Sequence, residues 1–255
     1  MGYLVKYIRH QPIGRIVLNA PDKLNAIDLP MAGELLTAFS RLADDPEVKV
    51  VILEGAGKAF CAGGDLRYFA EGMRSGSLDM EGLANSLADV LITMKTMKQV
   101  VISKVHGCAA GAGMGLALSA DLCIAAESTR FIPAFTQVGL AADTGLGRLL
   151  ARQLGAMKAA EILILNRSLS APEAADLGLI VQSIADDDLD SHCDELAQRI
   201  LSGPLGAYDA IKQQIWQATF AEAEPYLRAE AHIQGGRVKS PEFVDYLHRF
   251  LNRPQ

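Results

Sequence analysis

The 255-residue sequence has no basic excess: 24 Lys and Arg stand against 30 Asp and Glu, a formal net charge of -6. That balance argues against a general nucleic-acid binder, which needs a basic face. A few local Lys or Arg residues still suffice for an anionic ligand. No apolar run is long enough to cross a bilayer. The start, Met1-Gly2-Tyr3-Leu4-Val5-Lys6, lacks a signal-peptide pattern and leads straight into a strand. Cysteine is scarce, and Cys61, Cys108, Cys123 and Cys193 show no CxxC spacing. Structural thiols in a reducing cytoplasm are therefore expected, rather than disulfides or a metal site. The five histidines, His10, His106, His192, His232 and His248, are not spaced for metal ligation. A dinucleotide site is also set aside: Gly111-Ala112-Gly113-Met114-Gly115 runs GxGxG, not GxGxxG, and lies outside the first βαβ unit.

What the sequence does have is two glycine-bearing stretches, each placed after an apolar run rich in β-branched residues. Phe60-Cys61-Ala62-Gly63-Gly64-Asp65-Leu66 follows Val48 to Glu54, and His106 to Gly115 follows Val100 to Val105. The runs read as buried strands, and each glycine stretch opens a helix, from Leu66 and from about Ala112. A helix start leaves backbone N–H groups without partners, and glycine lets a ligand approach the main chain. Two such turns facing each other form an oxyanion hole; taken singly, they are also ordinary strand-to-helix turns.

The rest of the chain gives an α/β order. Leu4 to Arg9 and Arg15 to Asn19 read as strands joined by a hairpin at Gln11-Pro12-Ile13-Gly14. Asp28 caps a helix with Pro30 in its first turn, running to about Ala43. Gly72, Ser75, Gly76, Ser77 and Gly82 predict a loop over 71–82, and a helix follows from Leu83 to Met97. Asp121 to Ala126 and Arg130 to Ile132 read as further strands. From Thr144 onward helical signals dominate, with a capping box at Ser170-Ala171-Pro172-Glu173 and acid at 186–188. Strand–helix units followed by a helical tail indicate one α/β core with a helical C-terminal segment, divided here as 1–195 and 196–255.

Four marks appear in order: Asn19 to Ile27, Ala59 to Leu66, His106 to Gly115, and Phe135 to Gly145. With them the sequence resembles the crotonase (enoyl-CoA hydratase/isomerase) superfamily over nearly its whole length. The resemblance implies a spiral of ββα units, assembly as a homotrimer or dimer of trimers, and an acyl-CoA thioester as substrate. It implies no cofactor beyond the coenzyme A of that substrate, and no metal. It puts the oxyanion-hole N–H groups at Gly64 and Ala112. It also implies that Lys23, Leu24, Ala26, Ala62, Asp65 and Leu66 frame the coenzyme, with Lys23 meeting a phosphate and Asp65 fixing the turn. Arg249 and Arg253 are weaker candidates for a neighbouring subunit's phosphate. The acyl pocket is expected between the 71–82 loop, the 83–97 helix, Phe69, Phe135 and Leu140.

The two positions that carry the hydratase carboxylates in this family are Gly115 and Phe135, neither able to exchange a proton. Asp143 matches the single carboxylate of the isomerase branches. Its apolar neighbours Leu140, Ala141 and Ala142 would desolvate it and raise its pKa. Read without the family, Asp143 serves equally well as a helix cap for Thr144 onward. A dehalogenase-like branch also carries Asp here, but its histidine has no match between His10 and His106. The expected reaction is a shift of a 3-enoyl-CoA to a 2-enoyl-CoA. Hydration, dehalogenase-like hydrolysis and non-catalytic acyl-CoA binding are the alternatives.

Overall fold

The structure, a computed structural model, describes residues 3–220 and 222–252. The chain opens with an antiparallel hairpin, β1 (Val5–His10) and β2 (Ile13–Leu18), in which His10 faces Ile13. Helix α1 (Leu29–Ala43) follows, capped by Asp28, whose Oδ1 accepts from Met31 N at 2.8 Å. Strand β3 (Val50–Gly55) leads through the first glycine turn to α2 (Leu66–Ser75) and α3 (Met80–Thr96). Strand β4 (Val100–Val105) leads through the second to the short β5 (Cys108–Ala110) and α4 (Ala112–Leu118). Next come β6 (Leu122–Ala126), β7 (Arg130–Ile132), α5 (Leu146–Leu154), α6 (Ala156–Ile164), β8 (Leu169–Ser170), α7 (Ala171–Asp176) and β9 (Gln182–Ile184). The tail is helical: α8 (Leu189–Leu201), α9 (Leu205–Phe220), α10 (Ala223–Arg237) and α11 (Pro241–Leu251).

The main sheet runs in the order β1-β2-β3-β4-β6-β9, parallel from β2 onward. Successive side chains of a strand point to opposite faces. Val51 and Leu53 of β3 enter the larger core with α1 and α3, while Val50 and Ile52 meet Leu189, Cys193 and Ala197 of α8. A parallel sheet needs both faces covered in this way. Helix α8 runs on across residue 195. A second sheet, β5-β7-β8, is tied to the first glycine turn by a bridge between Cys61 and Ala109. A further bridge joins Gly64 to Ile27. Each turn of chain is thus laid on the one before, and the architecture is the α/β spiral with a helical C-terminal segment that the resemblance implied.

The expected loop over 71–82 is mostly helix. Helix α2 continues to Ser75 and stops at Gly76, which sits at φ 69° as a left-handed cap. Helix α3 already starts at Met80, with Asp79 Oδ1 accepting from Gly82 N at 2.7 Å. Gly72 and Gly82 are packing positions inside helices. A Cβ on Gly72 would stand 3.0 Å from that of Leu78, and one on Gly82 would collide with the Asp79 carboxylate.

Two helices of the tail reach back to the core. Lys212 of α9 is buried and donates to the carbonyls of Met94 (2.9 Å) and Gln99 (2.7 Å), and pairs with Asp121 at 2.8 Å. A cavity of about 370 Å3 lies beneath α9, away from both glycine turns. Helix α10 lies against α3, closely enough that a Cβ on Gly235 would stand 2.7 Å from a carboxylate oxygen of Glu81. That contact brings the inner face of α10 to the turn before α5.

Candidate active site

The first glycine turn is fixed from both sides. Ile27 N donates to Gly63 O at 2.7 Å, and Asp65 N donates to Ile27 O at 2.9 Å. Asp65 caps α2, its Oδ1 accepting from Arg67 N and Tyr68 N at 3.0 and 3.1 Å. Gly63 sits at φ 91°, where a side chain is strained, and a Cβ there would also strike the Ala110 carbonyl. This close approach brings the two turns together. In the second turn Gly111, at φ 50°, donates its N–H to Ile132 O at 2.8 Å and leads into α4. Between these ties, the N–H groups of Gly64 and Ala112 donate to no partner among the described residues. Helix starts leave such donors open.

Gly64 and Ala112 line one cavity of about 160 Å3, and Asp143 lines the same cavity. Ala62, Leu66, Phe135 and Leu140 are also in its wall. Phe69, Met80, Leu83 and Leu87 of α2 and α3 make an apolar side, and Tyr246 of α11 closes another. The expected acyl-pocket residues Phe69, Phe135 and Leu140 are thereby brought together. Helices α2 and α3 stand where the loop was expected.

Asp143 lies on the turn entering α5 and is only 8% exposed. Its side chain is not a helix cap: Gly145 holds the N-cap position of α5, with no side-chain hydrogen bond. Only the main-chain oxygen of Asp143 serves the helix, accepting from Leu146 N at 3.1 Å. The carboxylate instead accepts from Gln234 Nε2 through Oδ2 at 2.9 Å, and Oδ1 is buried with no partner among the described residues. Burial raises the Asp143 pKa to about 6, against the opposing hydrogen bond from Gln234. Desolvation disfavours the charged form, so this carboxylate is a stronger base than an exposed one. The turn itself is unusual. Thr144 is buried at φ 53°, a left-handed conformation rare outside glycine, and its Oγ1 donates to Asp143 O at 2.7 Å.

Glu230 supports the same turn, its Oε2 accepting from Gly145 N at 2.8 Å. Burial lifts its pKa to about 8, with the charge of Asp143 adding to the effect. Gln234, Glu230 and Tyr246 all come from α10 and α11, which the sequence shows only as part of a helical C-terminal segment. The one local signal was Gly235 inside α10, a glycine where the neighbouring α3 leaves no room for a side chain.

Of the coenzyme-framing candidates, Ala62 and Leu66 line the cavity, whereas Lys23, Leu24, Ala26 and Asp65 do not. Lys23 is paired with Asp28 at 2.5 Å and Asp65 at 2.9 Å, so a phosphate would have to compete with two carboxylates. Leu24 is partly exposed at φ 52°, and its carbonyl accepts from Ala62 N at 3.0 Å. Ala26 is buried beside it. Arg249 is exposed on α11, with Nε donating to Asp245 O; Arg253 lies outside the described residues. All four cysteines are free thiols, and burial pushes those of Cys61, Cys123 and Cys193 up to about 12. Among the described residues no group of His, Cys, Asp and Glu is placed to hold a metal ion. Among the described residues no helix is long and apolar enough to cross a membrane.

The chain is similar to known proteins over nearly its whole length. The family model described as enoyl-CoA hydratase/isomerase matches residues 9–255. The chain is 31% identical to 1,2-epoxyphenylacetyl-CoA isomerase of Escherichia coli K12, covering 98% of this chain and 96% of that protein. It is 28% identical to trans-2-decenoyl-[acyl-carrier-protein] isomerase of Streptococcus mutans, covering 94% and 92%. The crystal structure of an enoyl-CoA hydratase from Mycobacterium avium subsp. paratuberculosis superposes with a TM-score of 0.89 at 30% identity, over 97% of this chain and 99% of that one.

Proposed function

We propose that this chain, which belongs to the enoyl-CoA hydratase/isomerase family, shifts the double bond of an enoyl thioester from the 3- to the 2-position, with Asp143 as its single acid/base. The observation that carries the reading is the cavity's composition. Among the described residues Asp143 is the one carboxylate in its wall, and Gly64 and Ala112, whose main-chain N–H groups are open, line the same cavity.

The thioester carbonyl oxygen accepts from the N–H groups of Gly64 and Ala112. The Asp143 carboxylate takes a proton from C2, and the electron pair of that C–H bond delocalises through C1 onto the oxygen. Negative charge then develops where the two donors point. One such donor is worth about 10²–10³ in rate in enzymes of known mechanism. The dienolate spans C1 to C4. Protonated Asp143 returns the proton to C4, and the double bond settles between C2 and C3. One acid suffices because the proton that leaves is the proton that returns, and no water enters the balance. Apolar walls from Phe69, Leu83, Leu87 and Phe135 suit a hydrocarbon acyl group and keep the base desolvated.

Hydration is disfavoured by the same composition. It asks for one group to orient water and another to deliver a proton, and Phe135 offers neither. Hydrolytic displacement needs a base to activate water, and no histidine is in the cavity wall among the described residues. Coenzyme A is the thioester carrier we favour, entering past Lys23 and Asp65. The exposed apolar side chains of Met157, Ile164 and Leu165, on and just after α6, offer a face for a homotrimer.

The test is the product formed from a 3-enoyl-CoA. Appearance of the conjugated 2-enoyl chromophore, with no 3-hydroxyacyl product, supports the proposal. A 3-hydroxyacyl product from a 2-enoyl-CoA at a comparable rate would favour hydration instead.

A further inference from the structure

We propose that Gln234 is a positioning residue for Asp143, anchoring Oδ2 so that Oδ1 carries the shuttled proton. The inference rests on Asp143 being the acid/base of the proposed reaction.

Gln234 is fully buried on α10. Its Nε2 carries two hydrogens, and the structure gives each a partner: Ala141 O at 2.7 Å and Asp143 Oδ2 at 2.9 Å. A main-chain carbonyl can only accept, so the Ala141 contact fixes the amide with its NH2 group toward the turn. An amide nitrogen accepts nothing. The carbonyl oxygen of a neutral carboxylic acid accepts a hydrogen bond better than its hydroxyl oxygen does, so the Gln234 bond to Oδ2 favours the proton of a neutral Asp143 on Oδ1. Oδ1 is the buried oxygen with no protein partner among the described residues. A buried polar atom left open in this way calls for an explanation, and a reacting C–H group supplies one.

Helix α10 grips the turn at three points. Glu230 and Gln234 are four residues apart and share one helix face. Glu230 takes Gly145 N, while Gln234 takes Ala141 O and Asp143 Oδ2. With Thr144 in its left-handed conformation, the carboxylate has one oxygen anchored and the other left for chemistry. The same oxygen then takes the proton from C2 and returns it to C4, as a shift along one face of the acyl group requires. The other titratable groups near Asp143 are Glu230 and Tyr226 on α10, Arg148 on α5 stacked over Tyr226, and Tyr246 on α11.

The Gln234→Met variant, similar in length but without donors, tests this by two readouts. The first is the titration of the Asp143 carboxyl carbon by NMR, assigned with Asp143→Asn. The second is the acid limb of kcat/KM for a 3-enoyl-CoA. Hydrogen bonds to a charged group favour that group's charged form. Losing one should move both transitions upward from about 6 by about one pH unit. Above the limb, kcat should fall about tenfold, with KM changing less. Should Gln234→Met not fold, Gln234→Asn, whose amide falls short of Oδ2, carries the same expectation. An Asp143 titration identical to wild type overturns the proposal. An Asp143 titration that moves while the kcat/KM limb stays in place instead overturns Asp143 as the base.

Discussion

A Cβ on Gly115 would stand 2.7 Å from the Cβ of Thr144 and 3.0 Å from the Thr144 carbonyl oxygen. Helix α4 therefore packs directly on the turn that carries Asp143, in space a longer side chain would need. Absence of a carboxylate at position 115 is built into the packing of the site.

Restoring that carboxylate should fail. Gly115→Glu is expected to give no hydration of a 2-enoyl-CoA, and even Gly115→Ala should destabilise the protein by about 1–3 kcal/mol, the usual cost of overpacking. Denaturant unfolding measures the loss, and a product assay measures the activity. A Gly115→Glu protein that hydrates efficiently would show that the turn yields more easily than its packing implies.

The two positions proposed for the oxyanion hole should respond differently. At Gly64 a Cβ would lie 2.5 Å from Cζ of Phe69, so Gly64→Ala must displace either the ring or the turn. Its kcat should fall by about 10² or more, the worth of one donor. Ala112 donates through its backbone, so Ala112→Gly should keep kcat within about threefold, set by helix propensity rather than by a lost donor. Steady-state kinetics of the two variants, side by side, check this.

Glu230 should make stability depend on pH. Its folded pKa is about 8 against an ordinary 4.5. Between those values the unfolded chain holds fewer protons than the folded one, so stability contributed by this group falls as pH rises and is lowest above 8. Glu230→Gln keeps an acceptor for Gly145 N without the ionisation. It should be more stable than wild type by on the order of 4 kcal/mol at pH 8 and within about 1 kcal/mol of wild type at pH 5. Thermal unfolding at the two pH values measures the difference.

The two glycine turns were legible in the sequence because their chemistry is local: a strand, a glycine, an open N–H and a helix within a few residues. Asp143 was legible as a carboxylate in an apolar stretch, but its proposed role only through the family resemblance. A cap and a base share the same residue type at a helix start, and only its side-chain direction separates them. What orients that side chain sits 91 residues on, in Gln234. No pattern within α10 ties it to the turn, since the contact exists only because α10 lies on α3. The 71–82 segment misled for a related reason. Gly72 and Gly82 read as loop formers, yet each is small because Leu78 or the Asp79 cap occupies the space beside it.

The most direct test of the account is Asp143→Asn, assayed with a 3-enoyl-CoA and by binding of a non-reactive acyl-CoA. Asparagine keeps the shape but cannot carry the proton. The account predicts that kcat falls by about 10²–10⁴, the range for a positioned general acid/base, while acyl-CoA affinity stays within a few-fold of wild type. An Asp143→Asn protein that forms the 2-enoyl product at the wild-type rate would contradict it.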